Sequence, residues 1–256
     1  MVRKVADDDG GDEAAGVAAI PEIASAPAKP GQDVRRAKTT LQYFGLLIVV
    51  VCSISLLGGN IYGAWYAVAF EVSSGQGSSV VTGQVNYAIG TAFSSGEING
   101  EEIENIEEVD YSDWDCNCDE TENVMGKTKL LVYLNMLGGL GLIYLARFRR
   151  GFDSDLTAKL LLALIAVSLV TVVYFALSFP KAIDDDDGDF SVYDLQQKDP
   201  SFYGKAEIST DGGNTVQQAQ WTPGPAWIII FLNTLACILA LMSMDYDFSK
   251  LIGSID

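Results

Sequence analysis

Long apolar stretches alternate with strongly polar segments along this chain. Four of these stretches contain no Asp, Glu, Lys or Arg: Leu41–Phe70, Leu130–Ala146, Leu160–Pro180 and Ala226–Met244. Each is about as long as the roughly 20 residues that a helix needs to cross the hydrocarbon core of a bilayer. The pattern predicts a mainly α-helical membrane protein with a bundle of four transmembrane helices. With their flanking residues, the predicted spans are 41–70, 129–147, 159–180 and 225–244.

Glycines mark two places where the predicted helices are expected to pack closely. Gly59 and Gly63 form a G-x-x-x-G pair, which lets another helix approach closely. Chance spacing is an equal alternative in a chain with 25 glycines. Gly138 and Gly139, in the middle of the second span, also indicate a packed face rather than a lipid face. The first span is long enough to tilt or to leave the bilayer, and 58–60 is where we expect it to loosen.

Two amides lie in the middle of predicted spans. We expect Asn135 and Asn233 to form hydrogen bonds across helices, and a substrate site is the alternative. Ionisable side chains, which pumps and ion-coupled transporters carry at membrane depth, are missing from the spans. The composition of the spans therefore argues against active transport by a monomer.

The two longer segments between spans, 71–127 and 181–224, carry strand signals. From Val85 to Phe93 the large apolar residues fall at every second position, and a turn is predicted at 96–100. Phe190–Leu195 and Ala206–Ser209 are predicted as short strands. Because an isolated hairpin is marginally stable, we expect both segments to join in one small β-sheet.

The distribution of charge predicts the orientation. Eleven of the 16 basic residues lie before the first span, between the second and third, or after the fourth. Basic residues near span ends stay in the cytoplasm, so both termini are expected to be cytoplasmic and 71–127 and 181–224 extracellular, at the plasma membrane. Residues 1–37 have few large apolar side chains and are predicted to be a disordered cytoplasmic tail.

Acidic residues concentrate on the two predicted outer loops, which hold 22 of the 34. The net charge of −18 therefore lies almost wholly on the outer side. Such a surface argues against binding nucleic acid or anionic lipid, both of which need cationic patches. A solvated, salt-tolerant surface, typical of a salt-adapted microbe, is one interpretation. Gathering of cations or binding of a basic partner is the other.

The predicted outer cysteines, Cys116 and Cys118, are two residues apart. Thiols outside the cytoplasm tend to oxidise, and this spacing permits a local disulfide. Free thiols, intermolecular disulfides and a metal site remain alternatives. A metal site built on these two thiolates would lack two further soft ligands, because the chain has no His.

Oxygen ligands alternate in the same stretch, as in the first half of a calcium loop. Cys118 stands where such a loop needs Gly, and Val124 where it needs Glu. Calcium is thus a possible cofactor, and no other is expected; solvation of these carboxylates is the alternative. Residues 184–189 form a second acidic cluster with the same alternatives. The candidate ligands are Asp113, Asp115, Asn117 and Asp119.

No catalytic motif is present in the sequence, which has neither a Gly-rich phosphate loop nor a His to act as base. We therefore expect a non-enzymatic protein. The outer β domain would make protein–protein contacts in adhesion or accessory-subunit assembly, with a protein partner or a second copy, besides membrane lipid. The alternative is a passive channel or transporter component formed by oligomerisation.

The order of predicted elements resembles that of the claudin-like four-span proteins of eukaryotic junctions and channel accessory subunits. In that family the first outer loop carries a Trp followed by two cysteines, which are joined by a disulfide across strands. Trp114, Cys116 and Cys118 are the matching positions here, with a much shorter cysteine spacing and without the family's Gly-Leu-Trp element. The resemblance covers residues 41–244 and implies a role in contacts between membrane proteins.

Overall fold

In the structure, a computed structural model, the described residues form four long helices and one antiparallel sheet. It describes residues 30–56, 61–74, 80–102, 108–111, 118–148, 153–186, 201–210 and 215–243. The helices are α1 Pro30–Leu56, α2 Asp119–Phe148, α3 Ser154–Asp185 and α4 Pro225–Met242. The strands are β1 Ala64–Ser74, β2 Val80–Ala88, β3 Thr91–Ile98, β4 Glu101–Glu102, β5 Glu108–Asp110, β6 Gly204–Thr210 and β7 Thr215–Pro223.

All four helices are long and apolar enough to cross a membrane, as predicted. Many large apolar side chains on the bundle are exposed, among them Leu137, Leu177 and Leu239. Such exposure is unfavourable in water and suits a hydrocarbon surrounding. Successive helices are neighbours: α1 packs on α2, α2 on α3, and α3 on α4.

The predicted extent of the first span, 41–70, is wrong at its outer end. Helix α1 ends at Leu56, a short 3-10 turn follows at Ile61–Gly63, and Ala64–Phe70 belongs to strand β1. Trp65, Tyr66 and Val68 favour a strand, because aromatic and β-branched side chains suit a pleated surface. Both edges of β1 are paired, with β2 and with β7, which a helix could not achieve.

The other helix ends also differ from the prediction, because hydropathy marks only the apolar part of a helix. Helix α1 begins at Pro30, so 30–37 is helical rather than disordered, while residues 1–29 lie outside the described residues. Helix α2 begins at Asp119, inside the predicted loop 71–127, and three acidic residues in its first turn complement the helix dipole. Helix α3 begins after Asp153, whose carboxylate accepts a hydrogen bond of 3.0 Å from the Leu156 amide.

The two segments between helices join in one sheet, as predicted. Its strand order is β4-β3-β2-β1-β7-β6, and β5 also pairs with β3. A turn at Asn99 and Gly100, with φ of 54° and 83°, reverses the chain between β3 and β4. The predicted strand at Ala206–Ser209 lies within β6, whereas Phe190–Leu195 lies outside the described residues. Strand β7 was not predicted.

Aromatic rings connect the packed face of the sheet to helix α3. The Phe179 ring centroid lies 5.1 Å from that of Tyr66 and 5.4 Å from that of Tyr87. Phe175, one turn away, stacks on Phe179 at 4.7 Å and lies 5.1 Å from Trp65. All five side chains are almost fully buried, and burial raises the pKa of the Tyr66 hydroxyl. We call these five residues the aromatic junction.

Glycines allow close helix contacts inside the bundle. A Cβ at Gly139 would lie 2.9 Å from the Ile48 side chain and 3.1 Å from the Gly45 carbonyl oxygen, so α2 approaches α1 closely here. Gly138 packs in the same way on Leu164 of α3. Gly63 lies in the 3-10 turn rather than on a helix, and Gly59 lies outside the described residues, so the proposed G-x-x-x-G contact has no support.

The aromatic junction predicts a large loss of stability when its centre is truncated. Phe179→Ala should lower the free energy of unfolding by about 3–5 kcal/mol, because it leaves a cavity beneath the sheet. Leu177→Ala is the matched control, since Leu177 is 65% exposed on the same helix. Denaturation of the purified protein in detergent measures both. An equal loss in the two variants would contradict the role of the junction.

Candidate functional site

The sheet has one packed face and one solvent face, because successive side chains of a strand point to opposite sides. On β1, Tyr66 and Val68 are buried toward the helices, whereas Ala69 and Glu71 are exposed. The solvent face presents exposed polar side chains from several strands, and we take it as the candidate site.

Strand register arranges the side chains of this face in two parallel rows. We call the first the neutral row; in spatial order it consists of Lys205, Gln220, Ala69, Gln84 and Ser95. We call the second the acidic row; in spatial order it consists of Glu207, Gln218, Glu71, Thr82, Glu97 and Glu102.

A cavity of about 730 Å³ lies between the two rows. Its floor is the backbone of the residues between them, including Gly83 and Gly96, whose strand positions point to the packed face. Gly83 is covered on that packed face by the Phe70 ring, which leaves no room for a Cβ. The polar side chains around the cavity therefore come from the two rows.

The four glutamates of the acidic row are exposed, and strand register places them in one row across the sheet. Neighbouring strands are about 4.8 Å apart, so the backbone positions of Glu207, Glu71 and Glu97, each two strands from the next, are about 10 Å apart. Glu102 lies directly beside Glu97 at the end of the row. Gln218 donates a hydrogen bond of 3.2 Å to Glu207.

This spacing distinguishes the row from a metal site. Among the described residues, no three acidic, His or Cys side chains come together closely enough to hold one ion. The row is suited to binding a partner that carries several separated positive charges.

The predicted cysteine site lies only partly in the described chain. Cys118 is almost fully buried beside the start of α2 and takes part in a disulfide bond. Cys116 lies outside the described residues, so their mutual pairing stays a prediction. Cys52 and Cys237 are buried free thiols inside the bundle.

The predicted calcium site is not tested by the described residues. Asp119 is exposed at the first position of α2, whereas Asp113, Asp115 and Asn117 lie outside the described part of the chain. Calcium at these four residues therefore stays a prediction.

The second acidic cluster contains a structural carboxylate that the sequence did not reveal. Asp186 is only 7% exposed, whereas Asp184 and Asp185 are exposed. Its two carboxylate oxygens accept hydrogen bonds of 3.0 Å and 2.9 Å from the amides of Glu120 and Thr121. Asp186 thus caps α2 from the end of α3 and joins the two helices beneath the sheet.

The two predicted intramembrane amides behave differently. Asn135 donates to the Thr171 hydroxyl at 3.2 Å and accepts a hydrogen bond from the Ser168 hydroxyl, so it joins α2 to α3. Asn233 is 5% exposed, and neither side-chain polar atom has a hydrogen-bond partner within the described residues. The cross-helix hydrogen bond predicted for Asn233 is therefore not present there.

These features define a protein with four helices of membrane-spanning length and an antiparallel sheet at one end of the bundle. The sequence matches no family model and no curated protein. The claudin-like resemblance therefore stays a prediction.

The Asp186 cap predicts a local and measurable defect. Asp186→Ala should lower the free energy of unfolding by about 1 kcal/mol, as for the loss of a helix cap, and accelerate hydrogen exchange at the Glu120 and Thr121 amides. Asp185→Ala, which removes the neighbouring exposed carboxylate, is the control. Unchanged exchange at both amides in Asp186→Ala would show that the cap is not formed in solution.

Proposed function

We propose that this chain is a non-enzymatic plasma-membrane protein whose sheet lies outside the cell and binds another protein through the acidic row. Both termini lie in the cytoplasm in this proposal. Its role is adhesion or the assembly of an accessory subunit with its partner. The observation that carries the proposal is the line of exposed carboxylates beside a cavity of about 730 Å³.

The packing of the sheet on helix α3 is consistent with a binding role for its solvent face. The aromatic junction fixes the packed face of the sheet to α3, so the solvent face is held at a constant position relative to the bundle. A rigid face loses little conformational freedom on binding, which favours affinity. A partner anchored in the same membrane would meet this face in a fixed orientation.

Charge supports a partner that is not a second copy bound face to face. The acidic row carries four glutamates and the neutral row a single lysine, Lys205. Two such faces would place like charges together, which costs several kcal/mol in an interface. A partner with a basic surface is complementary and would also associate faster.

A photo-crosslinking side chain at Gln220, which is exposed in the neutral row, tests the proposed binding face. In the native membrane it should form an adduct with a distinct protein. The adduct should be lost on combining Glu71→Gln, Glu97→Gln and Glu207→Gln. It should persist on combining Glu101→Gln, Glu108→Gln and Asp110→Asn, which removes the same charge outside the acidic row.

The same crosslinker at Leu137, on the exposed apolar face of α2, controls for contacts made in the bilayer. Absence of a protein adduct at Gln220, or an adduct insensitive to the acidic-row substitutions, would contradict the proposed function.

The proposed orientation predicts which positions a membrane-impermeant thiol reagent reaches. In a variant lacking Cys52 and Cys237, Gln220→Cys should react in intact cells. Ser154→Cys, exposed at the opposite end of the bundle, should react only after permeabilisation. The parent variant without either added cysteine gives the background. Labelling of Ser154→Cys in intact cells would reverse the proposed orientation.

The alternative function is a passive channel or transporter component formed by oligomerisation. The unpartnered amide of Asn233 and the polar cluster around Asn135 are the features that favour it. Selective ion flux through reconstituted protein, without the crosslinked partner, would support this alternative over the binding role.

A further inference from the structure

We infer that the open edge of strand β6 pairs with the same strand of a second copy of this chain, in a symmetric dimer whose two sheets join edge to edge. The pairing is antiparallel, and its register is centred on Ala206. This inference goes beyond the proposed function, because it uses the edge of the sheet and leaves the solvent face of each copy uncovered.

Strand β6 offers a full-length edge for pairing. Among the described strands it pairs with β7 on one side, over all seven of its residues, and has no neighbour on the other side. In an antiparallel ladder, alternate residues direct their backbone amide and carbonyl groups to opposite sides of the strand. The open side of β6 therefore presents a row of donors and acceptors that β7 does not use, which is a template for another strand.

The opposite end of the sheet is less suited to pairing. Strand β4 has two residues, Glu101 and Glu102, and β5 has three. Short edge strands and charged side chains discourage pairing with another chain. A second copy is therefore expected at β6 rather than at this end.

The charges of β6 are complementary to those of a second β6. Lys205 and Glu207 are the charged residues of this strand, and both are exposed on the solvent face. Antiparallel pairing about a two-fold axis at Ala206 places Lys205 of each copy directly opposite Glu207 of the other. Opposite charges in such cross-strand pairs stabilise a sheet. The dimer therefore gains two ion pairs by symmetry.

Other registers of the same two strands lack this complementarity. Centring the pairing on Lys205 or on Glu207 would put two like charges directly opposite each other, which destabilises a sheet. A shift by one residue would place a side chain of the solvent face opposite one of the packed face, against the alternation of a strand. Charge and alternation thus select the register centred on Ala206.

Both charged groups are available for the contact. Lys205 is the only basic residue in the described strands of the sheet, and it has no ion pair within the described residues. One carboxylate oxygen of Glu207 accepts the hydrogen bond from Gln218. Because a carboxylate accepts several hydrogen bonds, Glu207 can also receive a lysine from a second copy.

Reversal of charge tests this inference. The full chain, in the variant lacking Cys52 and Cys237, is labelled with donor and acceptor dyes at Ser154→Cys and purified in dodecyl maltoside micelles. Energy transfer over a dilution series then measures self-association. Lys205→Glu and Glu207→Lys should each weaken it by roughly tenfold, because each places two like-charged pairs across the edge. Glu97→Lys, on the solvent face away from β6, is the control and should leave it unchanged.

Mixing the two charge variants separates loss of complementarity from loss of folding. A Lys205→Glu copy is complementary to a Glu207→Lys copy, so an equal mixture should associate about as tightly as the parent protein. Misfolded variants would not recover in this way. A mixture that associates no better than either variant alone would overturn the inference. A parent protein that stays monomeric would also overturn it and would show that Lys205 protects the edge from pairing.

Crosslinking tests the register. In the dimer, the Cβ atoms of Ala206 from the two copies lie opposite each other, about 5 Å apart. Ala206→Cys should therefore form an intermolecular disulfide on mild oxidation, whereas Gln220→Cys, exposed on the neighbouring strand β7, should not. Equal crosslinking at both positions would contradict the edge contact. The photo-adduct at Gln220 reports on the solvent face, so the proposed function is tested separately.

Discussion

Pairing of strand β1 on both edges is the constraint on which the rest of the structure depends. The strand follows α1 after a short turn, pairs with β2 on one side, and pairs with β7 on the other. Strand β7 leads directly into α4, and the Gly224 amide at that junction donates a hydrogen bond of 2.9 Å to the Trp65 carbonyl oxygen. The Trp65 indole in turn donates to the Ser55 carbonyl oxygen in α1 at 3.3 Å. The first and last helices are thus joined through one strand.

Sequence reasoning was successful where a single physical property decided the outcome. Absence of charge over about 20 residues predicts a helix of membrane-spanning length, and four such helices are present. It failed at Ala64–Phe70, because that segment is as apolar as a span and becomes a strand only through its partners β2 and β7. Strand β7 was also missed. Its exposed residues Gln218 and Gln220 are polar, so hydropathy does not show an apolar strand there.

Residues of the same type have different roles here because their neighbours in the folded protein differ. The local sequence does not show these neighbours. Asp186 and Asp185 are neighbours, yet only Asp186 reaches the α2 amides, because the start of α2 lies beside the end of α3. Asn135 and Asn233 both lie within helices, yet only Asn135 faces hydroxyl groups on a neighbouring helix. The acidic row is a further case, since its six members come from six strands and align only through register.

Charged and uncharged residues alternate along most of the acidic row, which limits the loss of sheet stability from charge repulsion. Like charges directly opposite on adjacent strands destabilise a sheet, and Gln218 and Thr82 separate three of the four carboxylates by one uncharged position each. The resulting spacing of about 10 Å is close to the Debye length at physiological salt, so the mutual repulsion of these three is largely screened. Only Glu97 and Glu102 face each other directly, at the end of the sheet where both are exposed to solvent. The face can therefore carry a strong negative potential at close range without a comparable loss of stability. The uncharged positions between the glutamates therefore limit repulsion within the sheet and keep the face acidic.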